Sequence, residues 1–515
     1  MFLRLLAAGC AAQIGVSGLT SARAATCESL ASLALPDTTI TAAETVPAGP
    51  FKFGDVKPTF PPNRPAPELP AFCRVVGVVK PAITFEVWMP LEGWNGKFEG
   101  VGNHGFAGDI PYMDMGPQLV RGYAAAGTDT GHRAGGPPSW MKDRQQLVDY
   151  GYRGVHEMTE KAKAVVAAFY GRGPRYSYFN GCSTGGKQGM TEAQRYPTDY
   201  NGILVGDPNL SQTHNRAQYV WTAQATFAKP ETAIPADKLP LIHKAAVESC
   251  DAADGLRDGL IADPRRCRFD PAVLACKPGQ DAKTCLTGDQ VAALRKVYAG
   301  PRNPRTGAPN YPGHAVGSEL TWKGFVSGPS LTPTATQFYA NMIFDDPKWD
   351  FRTLDFDKDI AAADAKVAAI VNADDPDLGA FRKAGGKIVH YHGLTDNNHT
   401  PLASIAYYQS VVATMGGRNG GVQSFYRLFL APGENGCSGG GDGPNVFDPR
   451  PALEDWVEKG TAPESIVATK YEDDNPTKAV LRTRPLCPFP KEARWTGSGS
   501  VDDAANFACA EPRKH

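Results

Sequence analysis

Past its first 25 residues the chain has no run of roughly 18 consecutive apolar residues, the length that a membrane-spanning helix needs. No membrane span is therefore predicted. Nor is there a surplus of one charge: 53 Lys and Arg stand against 54 Asp and Glu. That balance carries no signature of nucleic-acid binding or of attraction to an anionic membrane. Internal repeats, low-complexity tracts and charge blocks are missing as well. No C-x-x-C pair or H-x₃-H partner occurs, so a structural zinc site of the usual spacing is not indicated.

What is present begins with "MFLRLLAAGCAAQIGVSGLTSARAATC". One arginine, an apolar run and Ala22-Arg23-Ala24 predict a secretory signal over 1–24 and a secreted or periplasmic mature chain. The apolar run before Cys10 is too short for a lipoprotein anchor. Removing Cys10 leaves ten of the eleven cysteines, an even number that suggests five disulfides in an exported chain. Short spacing allows Cys250–Cys267, Cys276–Cys285 and Cys487–Cys509 to close local loops, while the full connectivity stays open.

The chain alternates β-rich and helical stretches. "VVGVVKPAITFEVWMP" (75–90) holds two strands separated by Pro81, and "KFEGVGNHGFAGD" (97–109) is a strand entering a glycine-rich loop. "YRGVHEMTEKAKAVVAAFYG" (152–171) has apolar residues at helical spacing and ends at glycine. "RYSYFNGCSTGGKQGMTEAQRYP" (175–197) reads strand, tight turn, helix, and "NGILVGDP" (201–208) is again a strand. The rhythm stops between 209 and 375 and resumes at "GKIVHYHGLTD" (386–396) and "FYRLFLAPG" (425–433). This pattern predicts an α/β fold, with an α/β-hydrolase core over 25–208 and 376–515 and a large inserted lid domain over 209–375.

Gly181-Cys182-Ser183-Thr184-Gly185 is a G-x-S-x-G nucleophile elbow placed between a predicted strand and a predicted helix. Small residues are needed there because the serine sits on a sharp turn between close backbones. Ser183 is the candidate nucleophile. The oxyanion donors expected are the backbone N–H groups of Thr184, at the helix start, and of Asn103, in the glycine loop. Chain order in such hydrolases places the acid and then the histidine after the serine. Asp396 ends a predicted strand and fits the acid. The next strand leads to Glu434, Asn435, Gly436 and Cys437, with no histidine among them.

Asp251, Asp254 and Asp258 crowd three carboxylates into eight residues beside Gly255 and Gly259. Like charges so close call for a hard cation, and oxygen ligands favour Ca²⁺. The spacing is not that of an EF-hand.

Taken together, "GVGNHGFAG", "TDTGH", "GCSTGGKQGM", "CDAADGLRDGLIADPRRC", "YHGLTD", "CSGGGDGPNVFD" and "RTRPLCPFP" make the sequence resemble the tannase and feruloyl esterase family of exported α/β hydrolases. That family includes an enzyme cleaving mono(2-hydroxyethyl) terephthalate. The resemblance implies pairs Cys182–Cys437 and Cys27–Cys73 beside the three local ones. It implies a structural Ca²⁺ on Asp251, Asp254, Asp258 and the carbonyls of Leu256 and Leu260. It also implies a small aromatic, phenolic ester as substrate. Where relatives usually read Met-x-His-Cys, this chain reads Glu434-Asn435-Gly436-Cys437, so Gly436 stands at the histidine position.

Three readings of that departure follow. His104, His399 or Glu434 replaces the base; the pocket is kept for binding aromatic esters without turnover; or the chain is a variant of an active esterase. A gap the size of a histidine side chain is expected at Gly436. Trp221, Trp322 and Trp349 of the insertion are candidates to face an aromatic ring, though core packing is their commoner use. A Ca²⁺-stabilised lectin-like module is the reading from another class, and it would have no reason to keep an elbow.

Overall fold

The computed structural model describes residues 25–51, 68–327, 331–416, 421–437 and 439–513. The expected signal segment and Cys10 lie outside the described residues.

Nine strands form one sheet: β1 (Thr38–Val46), β2 (Phe72–Val79), β3 (Ile83–Pro90), β4 (Lys97–Val101), β5 (Ala124–Thr128), β6 (Tyr176–Cys182), β7 (Gly202–Gly206), β8 (Lys387–Gly393) and β9 (Tyr426–Ala431). Their spatial order is β1-β2-β3-β5-β4-β6-β7-β8-β9. The first strands pair antiparallel, and every pair from β5–β4 through β8–β9 is parallel. Parallel strands need crossovers, and helices supply them. The principal helices are α1 (Tyr112–Val120), α2 (Gly154–Tyr170), α3 (Thr184–Arg195), α4 (Gln212–Thr226), α5 (Pro401–Thr414) and α6 (Arg450–Lys459). This is an α/β-hydrolase fold.

The near-continuous apolar runs of β6 to β9 have a physical cause. A parallel sheet is covered on both faces, so alternate side chains enter different cores. Phe179, Ile203, Val205, Ile388 and Leu428 join one core; Tyr178, Leu204, Val389 and Phe429 join the other, with Leu453 and Trp456 of α6.

No strand of this sheet arises between Gly206 and Lys387 among the described residues. That stretch is helical and builds apolar clusters of its own. One joins Tyr219, Phe338 and Tyr339 to Trp140 and Tyr150 of the core; the other centres on Ile242, Leu294 and Trp322.

Five disulfides are formed, Cys27–Cys73, Cys182–Cys437, Cys250–Cys267, Cys276–Cys285 and Cys487–Cys509. The second joins residues 255 positions apart and ties the end of β6 to the loop after β9. Closing so long a loop restricts the unfolded chain most. Replacing both Cys182 and Cys437 by alanine is expected to cost about 2–5 kcal/mol, read as a lower denaturant midpoint, whereas removing Cys276–Cys285, nine residues apart, costs less.

Candidate active site

The site is assembled where β4, β6, β7, β8 and β9 end, the edge at which open α/β sheets place ligands. Ser183 lies between β6 and α3 with φ 61° and ψ −118°, a conformation that a non-glycine residue adopts only when its surroundings force it. The force is the close approach of neighbouring backbones. A Cβ on Gly181 would lie 2.7 Å from the Cα of Gly185, and one on Gly102 would lie 2.5 Å from the same atom. Ser183 donates its backbone N–H to Gly206 at 2.9 Å, which fixes the elbow to β7.

Thr184 opens α3, so its N–H has no intrahelical acceptor and joins the positive end of the helix dipole. Its hydroxyl donates to the carbonyl of Gly105, pinning the glycine loop to the elbow. Asn103 requires a correction. Its backbone N–H donates to Gln188 Oε1 at 2.9 Å, and its side-chain amide donates to the carbonyls of Asp109 and Thr128. The predicted oxyanion donor is thus committed to positioning the loop.

Asp396, three residues past β8, is buried. Its Oδ1 accepts from the N–H groups of Asn398 (2.8 Å) and His399 (3.3 Å). Its Oδ2 faces His392 Nε2 at 3.6 Å and His399 Nδ1 at 3.7 Å. Burial pushes the carboxyl up, but the nearby imidazoles of His392 and His399 outweigh it and hold Asp396 at about 2. His392 is already saturated, with Nδ1 on Ser404 Oγ and Nε2 on the His399 carbonyl, both at 2.7 Å. His399 Nδ1 has no hydrogen-bond partner, and burial shifts its pKa below the ordinary value.

Two further carboxyl groups surround the site. Burial raises Asp207 to about 7, against the pull of His392 and with the push of Asp396; its Oδ1 accepts from the Gly393 N–H at 2.8 Å. Glu434 is raised well above the usual carboxylate range, first by burial and then by the charge of Asp207. Its Oε2 is unpartnered. Sequence reasoning missed Asp207, whose signal was "GDP" at a strand end, and His392, inside the strand that leads to Asp396.

Gly436 is where the expectation fails most clearly. Its φ is +82°, and a Cβ there would lie 2.8 Å from both Cγ and Oδ2 of Asp396. No histidine-sized gap exists on that side; the loop has closed onto the carboxylate. Gly436 also borders a cavity of about 470 Å³ that touches His104, Asn180, Tyr391 and Glu434. His104 is paired there with Asp114 at 3.0 Å.

The insertion contributes Arg216, on α4 and 4% exposed. Its Nη1 donates to Asn215 Oδ1 at 2.8 Å, its Nε is unpartnered, and the guanidinium lies over the rings of Tyr219 and Phe106. Asn215 and Tyr219 both donate to the carbonyl of Asn398, so α4 is docked on the loop that carries Asp396. The three candidate tryptophans serve packing: Trp322 is fully buried and donates to Ser318 Oγ, Trp221 donates to the Lys296 carbonyl, and Trp349 stacks on Tyr339.

The acidic loop holds Asp251 and Asp254 in one turn, with Asp258 following. Burial and then the charges of Asp258 and Asp251 raise Asp254. Arg484 donates to Asp258 Oδ2 at 2.6 Å, so an ion here would share that carboxylate with a guanidinium.

The sequence pattern described as "Tannase and feruloyl esterase" matches residues 69–510. The chain belongs to the tannase and feruloyl esterase family. It is 41% identical to an uncharacterized esterase of Xanthomonas campestris pv. campestris, over 99% of this chain and 95% of that one. With the mono(2-hydroxyethyl) terephthalate hydrolase of Piscinibacter sakaiensis it shares 34% identity over 87% of this chain and 86% of the other. The crystal structure of feruloyl esterase B from Aspergillus oryzae superposes with a TM-score of 0.87 at 30% identity, covering 94% of this chain and 99% of that one.

Because a side chain at 436 meets both an unfavourable φ and the Asp396 carboxylate, Gly436→Ala is expected to destabilise the protein by about 1–3 kcal/mol. Thermal or denaturant unfolding of the two proteins reads this directly. Gly436→His alone is expected to unsettle the loop rather than restore a resting triad.

Proposed function

We propose that the protein is a serine carboxylic ester hydrolase acting on aromatic esters. The observation that carries this reading is the strained Ser183 at the head of α3, beside a carboxylate that stays ionised. Ser183 Oγ attacks the ester carbonyl, the oxyanion rests on the N–H of Thr184, the C–O bond breaks as the alcohol leaves with the serine proton, and water then hydrolyses the acyl-serine to free the acid and the serine. With glycine at 436, His399, whose Nδ1 lies 3.7 Å from Asp396 Oδ2, is the group we assign to accept the serine proton. Asp396 can orient its Nδ1–H, and its lowered pKa keeps it neutral near pH 7. Arg216, buried with a free Nε, favours acyl groups that carry a carboxylate.

The test is hydrolysis of methyl ferulate and of mono(2-hydroxyethyl) terephthalate across pH. Ser183→Ala is expected to fall to background, because loss of a triad member costs on the order of 10³–10⁶ in turnover. A neutral His399 is needed, so the rate falls as pH drops through its pKa, which burial holds below the ordinary imidazole value, and is flat at higher pH; Asp396, ionised throughout, adds no limb of its own. His399→Ala removes the plateau and leaves a rate that climbs with hydroxide. Arg216→Gln lowers kcat/KM for the terephthalate monoester more than for the ferulate. Activity surviving Ser183→Ala would sink the reading.

The glycine at 436 favours a second reading, a catalytically impaired member that binds aromatic esters. Saturable binding of methyl ferulate with no release of ferulic acid at any pH would select it.

We also propose a structural Ca²⁺ on Asp251, Asp254, Asp258 and the carbonyls of Leu256 and Leu260, supported by like-charge crowding within a loop bracketed by Cys250–Cys267. Chelation should lower the melting temperature and Ca²⁺ restore it, and Asp254→Asn should abolish the difference. Export to an oxidising compartment is proposed on the five disulfides and the N-terminal segment.

A further inference from the structure

Away from the catalytic edge, His156 of α2, Glu192 near the end of α3 and Asp199 in the loop before β7 come together. His156 Nδ1 and Asp199 Oδ2 are 2.7 Å apart. One ligating atom from each of the three lies within 4.8 Å of the other two. Glu192 is 1% exposed, and neither of its carboxylate oxygens has a hydrogen-bond partner. Asp199 is also buried.

Two buried carboxyl groups at this distance cannot both be charged without a cation or proton between them. Lys163 is near, but its ammonium donates to the main-chain carbonyl of Asp199. His156 stacks on Tyr196 with ring centres 3.8 Å apart, and its side chain is 29% exposed, which leaves a route in from solvent.

We propose that His156, Glu192 and Asp199 form a divalent-cation site of the zinc class, separate from the catalytic residues and from the acidic loop. One imidazole nitrogen and two carboxylates suit Zn²⁺, whose ligand bonds of about 2.0–2.2 Å would part the His156–Asp199 pair, now 2.7 Å apart, to admit the ion. Ca²⁺ would require six or more oxygens. The fourth position opens toward solvent beside His156. Since α3 begins just after Ser183, the ion clamps the far end of that helix to α2, a structural task. This inference stands whether or not the protein turns over an ester.

The test uses the full chain without a histidine tag, stripped with chelator and kept in excess Ca²⁺. Zn²⁺ is titrated by calorimetry, and Co²⁺ by its visible absorption. The expected result is one equivalent bound with a raised melting temperature. Affinity falls at least about tenfold in His156→Gln and in Glu192→Gln and is unchanged in Asp251→Asn. Circular dichroism reports whether each variant folds; His156→Gln, at the exposed edge, decides the matter if Glu192→Gln does not. No Zn²⁺ bound, or binding that persists in folded His156→Gln, overturns the proposal. Binding lost only in Asp251→Asn overturns it too.

Discussion

The catalytic edge depends on backbone packed against backbone at the elbow. Gly181, Gly185 and Gly102 bring β6, α3 and the glycine loop so close that no side chain fits between them, and Ser183 is held in its unfavourable conformation as a result. A strained turn persists only when its neighbours over-determine it. Here they do so several times over, through the Ser183 N–H on Gly206, the Thr184 hydroxyl on Gly105 and Gln188 on Asn103. The geometry of Ser183 is therefore set by backbone packing and these hydrogen bonds alone.

The carboxyl groups of the candidate site do not share charge equally. Asp396, Asp207 and Glu434 would be three buried charges in one place, which the interior cannot hold. The two histidines and the backbone N–H groups concentrate the ionised state on Asp396, and the other two carboxyls are driven toward their neutral forms. The loop carrying Gly436 adds to this by closing on the carboxylate. At position 436 the backbone itself lies against the Asp396 carboxylate.

Much of this was legible in the residues. The parallel strands β6 to β9 announce themselves as short apolar runs between turn signals, and the elbow has a pattern that its own sterics demand. Chain order points to Asp396 as the candidate acid. What could not be read was set by contacts across the fold. Nothing near Asn103 indicates that Gln188, 85 residues later, takes its N–H. The conformation of Gly436 depends on how far the loop settles toward Asp396, a distance no local pattern encodes. Arg216 sits in a helix whose polar residues look solvated in sequence, yet α4 is docked on the Asn398 loop and buries them. The strand Thr38–Val46 escaped notice because its partly exposed positions show no steady alternation.

The Cys182–Cys437 bond turns the chain from 182 to 437 into a covalent ring. Within that ring lie the nucleophile, β7 to β9, Asp396 and the whole helical insertion. A protease that cuts an insertion loop severs the polypeptide but not the molecule, since both new ends remain joined through the sulfur bridge beside Ser183. The helical segment can thus be nicked while Cys182 and Cys437 stay joined.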